Sequence, residues 1–416
     1  MVNLFSLRMR GPILAGAALL WVASGMAPVS GAGLEQARGV FEMLPDGMNP
    51  NGADWMQSLR LTLGGWIDAG LTHNFDEPCS GYNGPVTFSD RSDEFQPNQV
   101  YLYLERAVDR QGESFDLGGR LDLLYGTDAW FSQAFGDPQG SWDRQISDNN
   151  RYSLAVPQAY LEALVPVGRG LAVKLGHFYT VVGVESVMAP ENFFYSHSYA
   201  MQYGEPFTHT GIRFSYQPTD NLLLDAAAVT GSQFAGWDGV FDHSLENWAF
   251  VGGGTWTSDS GETSLSINGS NGTVTTVPRG ELSFYSLVAQ HDLTLRLHAI
   301  LQHDHGWISG DGQTSSWYGL VQYLSYDLAD DLSLGLRGEW FRDDDGVRVL
   351  SPARAPTMGL GPGSYYAVTA GVKWSPLPWL TARPNLRYDW SDGTRPFDDG
   401  NATSQILLSA DVIVSF

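Results

Sequence analysis

Charged side chains in this 416-residue chain recur two positions apart, at Arg120 and Asp122, Arg337 and Glu339, Arg387 and Asp389. The residues beside them are mostly apolar or aromatic. Residues two apart on a β-strand share a face, so each pair would line a wet wall while its neighbours meet an apolar surroundings. Fixed charges in that arrangement order ions and dipoles rather than break bonds. The same register adds Glu162, Lys174, Arg213, Arg296, Lys373, Arg383 and Asp411 to the expected lumen wall.

A second group lies in the loop-like stretch Val182 to Pro206, where Glu185, Glu191 and Glu205 are interspersed with Phe193, Phe194, Tyr195, Tyr199 and Tyr203. Structureless stretches of this length are commonly functional, and burying so many rings requires an apolar wall. The expectation is a loop folded inward, with Glu185, Glu191, Phe193, Phe194, Tyr195 and Glu205 forming a pore constriction. The alternative is a loop packed over the barrel mouth or against a neighbouring subunit. Basic wall residues opposite acidic loop residues would set up a transverse field; equally, they would neutralise one another and brace the wall.

Catalytic and metal chemistry find little support. Ser196 and His197 are sequence neighbours, which does not bring a nucleophile and an oriented base together. His303 and His305 share a strand face, with His298 and His291 near, but ordinary loop histidines fit better than a metal site. The reading is a protein without enzyme activity, cofactor or metal.

The elements that must position these residues are strands. Leu59, Leu61, Leu63, Ile67, Ala69 and Leu71 alternate with Arg60, Thr62 and Asp68; Leu293 to Leu301 and Leu332 to Trp340 repeat the pattern. The last stretch is the cleanest, with Ile406, Leu408, Ala410, Val412, Val414 and Phe416 on one face. Short turns fall near 109–113, 167–170, 217–221, 258–262, 291–292, 327–331 and 376–378. Longer polar segments fall near 73–94, 126–151, 182–206, 231–247, 268–280, 304–314, 343–363 and 391–403. Short periplasmic turns alternating with long external loops describe an all-β, antiparallel, up-and-down transmembrane β-barrel of about 16 strands spanning residues 58–416. Trp374, Trp379, Tyr388 and Trp390 near strand ends suit the membrane interfaces. Pro384 interrupts a strand of a barrel that has no edge, so a bulge is expected there.

Arg8 and Arg10, the apolar run Ile13 to Ala23 and the small residues Ser30 to Ala32 read as a secretory signal peptide, residues 1–32. Residues 33–57 lack alternation and read as a periplasmic extension. The formal charge of −23 argues against nucleic acid as a partner. The single cysteine, Cys79, cannot make an intramolecular disulfide, so something else must hold the fold, and a closed hydrogen-bonded sheet would serve.

With these features in place, residues 59 to 416 resemble the Putative β-barrel porin-2 (OmpL-like) family. The resemblance is carried by Tyr82-Asn-Gly-Pro-Val-Thr-Phe-Ser-Asp-Arg, Leu121-Asp-Leu-Leu-Tyr-Gly-Thr-Asp, Gln158-Ala-Tyr-Leu-Glu, and Asn192-Phe-Phe-Tyr-Ser-His-Ser followed by Gly204-Glu-Pro-Phe-Thr-His-Thr-Gly. It implies a porin-like channel in the cell outer membrane of a Gram-negative bacterium. It also implies that Phe416 is the assembly signal read by the barrel-assembly machinery. The expected function is passive diffusion of small hydrophilic solutes, with lipid and lipopolysaccharide around the barrel. The alternative is a plugged structural or adhesive barrel. Apolar strand faces suit lipid and a second copy alike, so a homotrimer stays open.

Overall fold

The computed structural model describes residues 39–45, 48–110, 114–134, 143–147, 151–231, 234–237, 239–240, 248–276, 279–349 and 359–416. The expected signal peptide, residues 1–32, lies outside the described residues. Eighteen β-segments make one sheet whose first strand, Thr62–Asn74, pairs with its last, Ser404–Ser415, so the sheet closes. Two pairs of segments are single strands interrupted near a proline: Ser153–Ala155 with Ala159–Val165, and Leu380–Ala382 with Asn385–Asp392. The barrel therefore has 16 antiparallel strands. Closure leaves no open strand edge to face lipid.

The two prolines behave differently. At Pro157 the pairing with strand Asp116–Gly126 slips by one residue, from Leu124↔Ala155 to Leu121↔Ala159. At Pro384 the expected bulge is absent: Trp374↔Ala382 and Gly371↔Asn385 keep one register. The Pro384 carbonyl still accepts from the Val372 N–H at 3.0 Å. In an antiparallel ladder the N–H and C=O of one residue point the same way, so only the bond back to the Val372 carbonyl is lost. Dropping one bond disturbs the wall less than inserting a residue.

Alternation places the side chains as the strand pattern requires. Leu161 is 69% exposed on the outer face while its neighbour Glu162 is 5% exposed inside. Ile406, Leu408 and Val412 face out, and Gln405, Ser409 and Asp411 are buried. Leu161→Arg is expected to destabilise the barrel by about 2–4 kcal/mol, the usual cost of a lipid-facing Arg at mid-membrane. Urea titration of protein folded into vesicles would measure it.

Several boundaries differ from the sequence reading. The first strand starts at Thr62, because Asp54–Ser58 is a short helix and Arg60 takes a left-handed φ of 56°. The strand Thr263–Val274 consumes the start of the expected loop 268–280. The expected long loop 304–314 is a two-residue turn, Asp311-Gly312, with φ of 51° and 77°, between strands Leu297–Gly310 and Gln313–Ala329. Two successive positive φ angles are the turn geometry that fits strand twist, and glycine takes one without strain. The turn placed at 291–292 is at Leu295-Arg296 instead, where Thr294 Oγ1 accepts from the N–H groups of Arg296 and Leu297. A two-residue turn preserves parity, so alternation ran through it unseen.

Candidate functional site

The segment between Tyr179 and Thr208 has no strand of its own and consists of turns, including Ala189–Glu191 and Ala200–Gly204. Its backbone groups find partners on inward-facing wall side chains. Arg337 Nη1 donates to Glu185 Oε1 at 2.7 Å and to the Ser196 carbonyl at 2.6 Å. Arg383 Nη1 donates to the carbonyls of Ala189 at 2.6 Å and Asn192 at 3.1 Å, and Arg387 Nη1 to that of His197 at 2.7 Å. Carboxylates brace these arginines from behind: Glu339 lies 3.1 Å from Arg337, Asp389 lies 2.8 Å from Arg387, and Asp411 pairs with Arg383. The guanidinium fork carries enough donors to bind a wall carboxylate and a loop carbonyl together. Tyr199 completes the row, its N–H donating to Glu339 at 2.7 Å and its hydroxyl to Asp389 at 2.9 Å.

The six residues assigned to a constriction separate into distinct roles. Glu185 is an anchor, accepting also from the Tyr323 hydroxyl and the Ser198 N–H, both at 2.8 Å. Burial alone would raise its carboxyl, but Arg337 and His197 hold it well below the usual carboxylate range. Phe193 rests on Gly335, where a Cβ would come within 2.2 Å of its ring, so the glycine makes room for it. Phe194 is buried beneath the Arg337 guanidinium, 5.2 Å from its ring centre. Tyr195 donates to Asn98 Oδ1 at 3.0 Å against the wall. Glu205 bonds Gln302, and burial together with Asp304 raises its carboxyl. Glu191 alone is exposed and makes no ion pair among the described residues.

On the opposite wall the charges are equally inward. Arg120 lies 2.7 Å from Asp122 and 3.3 Å from Glu105, Arg213 lies 2.6 Å from Asp225, and Glu162 lies 3.0 Å from Arg110. Lys174 is buried there, bonded to the Tyr160 hydroxyl at 3.1 Å. Arg296 is a correction: it is exposed in the turn after Thr294, because the turn falls four residues later than alternation suggested. The arginine partners are neutralising pairs, so the bracing alternative describes most of the wall.

Two volumes follow from this arrangement. Toward the long-loop end, inward rings pack against the loop: Trp237, Phe284, Trp317, Phe341 and Tyr365 join Tyr199 and Tyr203 in one buried cluster. Toward the short-turn end lies a cavity of about 880 Å³, bordered by Glu191, Phe193, Lys174, Lys373, Arg120 and Tyr103. The segment before the first strand borders it too. Phe41 and the terminal Phe416 have ring centres 5.1 Å apart, and Asn51 bonds both the N–H and the C=O of Leu63 at 2.8 Å. This segment was unreadable as part of the site; only its lack of alternation set it apart.

The remaining candidates are accounted for. Ser196 Oγ accepts from Arg337 at 3.1 Å and His197 Nδ1 meets Glu185 at 3.3 Å, so neither is oriented toward the other. His303 and His305 are strand residues rather than loop residues, on the outer face; His305 stacks on Tyr318 with ring centres 4.4 Å apart. Cys79 is exposed in the first long loop.

A closed 16-strand barrel with charged inner walls and an apolar outer face is the setting for a comparison with known proteins. A family model described as Putative beta-barrel porin-2, OmpL-like, matches residues 60–416. The chain belongs to that family. No curated protein matches the chain. Among solved structures, OprB of Pseudomonas putida is 14% identical with a TM-score of 0.58, covering 89% of this chain and 98% of its own. The anion-selective porin of Comamonas acidovorans is 11% identical with a TM-score of 0.55, covering 86% and 99%. The outer-membrane channel DcaP of Acinetobacter baumannii is 12% identical with a TM-score of 0.54, covering 86% and 97%. At these identities the likeness is one of fold. The family and the fold together make this protein an outer-membrane porin.

Proposed function

We propose that the porin passes small hydrophilic solutes by diffusion, and that loop 180–207 narrows the path, with Glu191 as its acidic group outside any ion pair among the described residues. The carrying observation is the row of three wall arginines, Arg337, Arg383 and Arg387, that bind loop carbonyls across the lumen side of the sheet. A loop pinned by charge-assisted bonds keeps a fixed aperture. Outer-membrane lipid, lipopolysaccharide and the assembly machinery are the expected partners, with residues 1–32 removed on export, residues 33–57 periplasmic and a homotrimer as one assembly left open to the barrel. The apolar packing of Trp237, Trp317 and Phe341 favours a second reading, a barrel plugged at its outer half.

Planar-bilayer recording on refolded protein separates the two. Stepwise conductance is expected, with Glu191→Gln lowering cation preference by a few-fold while Glu185→Gln acts mainly on loop stability. Silence from correctly folded, heat-modifiable barrels would favour the plug. Unchanged ion selectivity and conductance in Glu185→Gln and Glu191→Gln channels would remove the constriction assignment.

A further inference from the structure

The porin has 23 basic Lys and Arg residues, and just two of them, Lys174 and Lys373, are lysines. Both border the same cavity. They stand on the fifth and the fourteenth of the 16 strands, Leu171–Tyr179 and Gly363–Leu377, and therefore on opposite sides of the closed ring. The wall arginines behave differently. Arg120, Arg213, Arg337, Arg383 and Arg387 each have a carboxylate within ion-pair distance.

Neither lysine has one within 4.0 Å among the described residues. Lys174 Nζ bonds a neutral phenol, the Tyr160 hydroxyl at 3.1 Å, and sits 4.2 Å from the centre of that ring. Lys373 Nζ reaches a neutral carbonyl, that of Asn192, at 3.4 Å. An ammonium carries three donors, so each retains donors beyond these contacts, toward a water-accessible space. Glu162 stands opposite Lys174 in the ladder but its Oε1 accepts from Arg110 at 3.0 Å, and Lys373 is half-buried. A charge in the barrel interior without ion-pair contact is costly, and a guest anion in the cavity would supply that contact. Four aromatic rings, Phe41, Tyr103, Phe193 and Phe416, border the same space, together with acidic side chains that include Glu42, Glu105 and Glu191.

We propose that this vestibule is a binding station for small organic carboxylates with a flat apolar body, held by the ammonium groups of Lys174 and Lys373. Arginine serves the structural pairs because its planar fork is satisfied by fixed partners, whereas lysine is a point charge that exchanges partners readily. The proposal rests on the porin being an open channel.

The test uses full-length refolded porin in planar bilayers, with three probes that share a phenyl body added on the short-turn side. These are 3-phenylpropionate (anion), 3-phenylpropanamide (neutral) and phenethylamine (cation). Each block is read relative to that channel's own KCl current. Saturable block by 3-phenylpropionate is expected at least about tenfold below the concentration needed for either other probe, equivalent to about 1.4 kcal/mol. Lys174→Gln and Lys373→Gln should each shift it to about tenfold higher concentration, and Lys174→Arg should restore part of it. Heat-modifiability reports folding of each variant.

Equal block by anion and amide, or block unmoved in both glutamine variants, would overturn the proposal. Preference for phenethylamine would overturn it as well. A KCl current with no block by the anion refutes this station and leaves the channel standing, whereas absence of any KCl current refutes the channel itself.

Discussion

Arg337→Met channels are expected to lose the fastening of loop 180–207, conduct more, and unfold about 3–5 kcal/mol more readily, the usual cost of stripping one partner from a buried ion network. The residue is fully buried and binds Glu185, Glu339, the Ser196 carbonyl and the Ser196 and Thr369 hydroxyls. Removing it takes one cationic partner from each of two buried carboxylates, leaving Glu185 to His197 and Glu339 to Arg387. Chymotrypsin provides a second readout, since Phe193, Phe194 and Tyr195 are shielded while the loop is docked. The variant should be cleaved there and the parent should resist. Arg337→Lys should fall between them, because a point charge cannot serve all five acceptors at once. Resistance to cleavage combined with unchanged conductance would mean that the loop is held by its rings alone.

Deletion of Phe416 is expected to abolish most heat-modifiable barrel in the outer membrane. Its N–H donates to the Gly65 carbonyl at 2.9 Å, and its own carbonyl accepts from the Gly65 N–H at 3.0 Å, so it is the last rung of the closing seam. Each such bond is worth about 1 kcal/mol net, too little to unfold a barrel this size. A large loss in cells with near-normal refolding into vesicles would therefore assign Phe416 to assembly rather than stability. Near-normal outer-membrane levels of the truncated chain would remove that assignment. Phe416→Tyr should restore assembly, since it keeps the ring that packs on Phe41.

The parts that the chain order exposes are those governed by periodicity. The outward row Ile406 to Val412, the inward row Gln405 to Asp411, and the pairing of the last strand with the first all follow from a side-chain period of two and a membrane on one side. The inward positions of Arg120, Asp122, Glu162, Lys174, Arg213, Arg337, Glu339, Arg383 and Arg387 follow for the same reason. Arg296 failed because a two-residue turn conserves parity; the alternating leucines on either side of it belong to different strands.

Partnership is another matter. Glu185 and Glu191 stand six residues apart in one loop and have the same chemistry, yet one is locked to Arg337 and the other has no ion pair among the described residues. That difference depends on where strand Leu332–Asp343 comes round the ring, a distance in sequence that no local pattern encodes. The same holds for Lys174 and Lys373, which 198 intervening positions separate and one cavity joins. The sequence alone determined the barrel, its two faces and the residues that point inward, because those depend on local alternation and the solvent on each side. The tertiary structure alone decided which inward charges neutralise each other and which are left for a solute, because closing the sheet fixes who stands opposite whom.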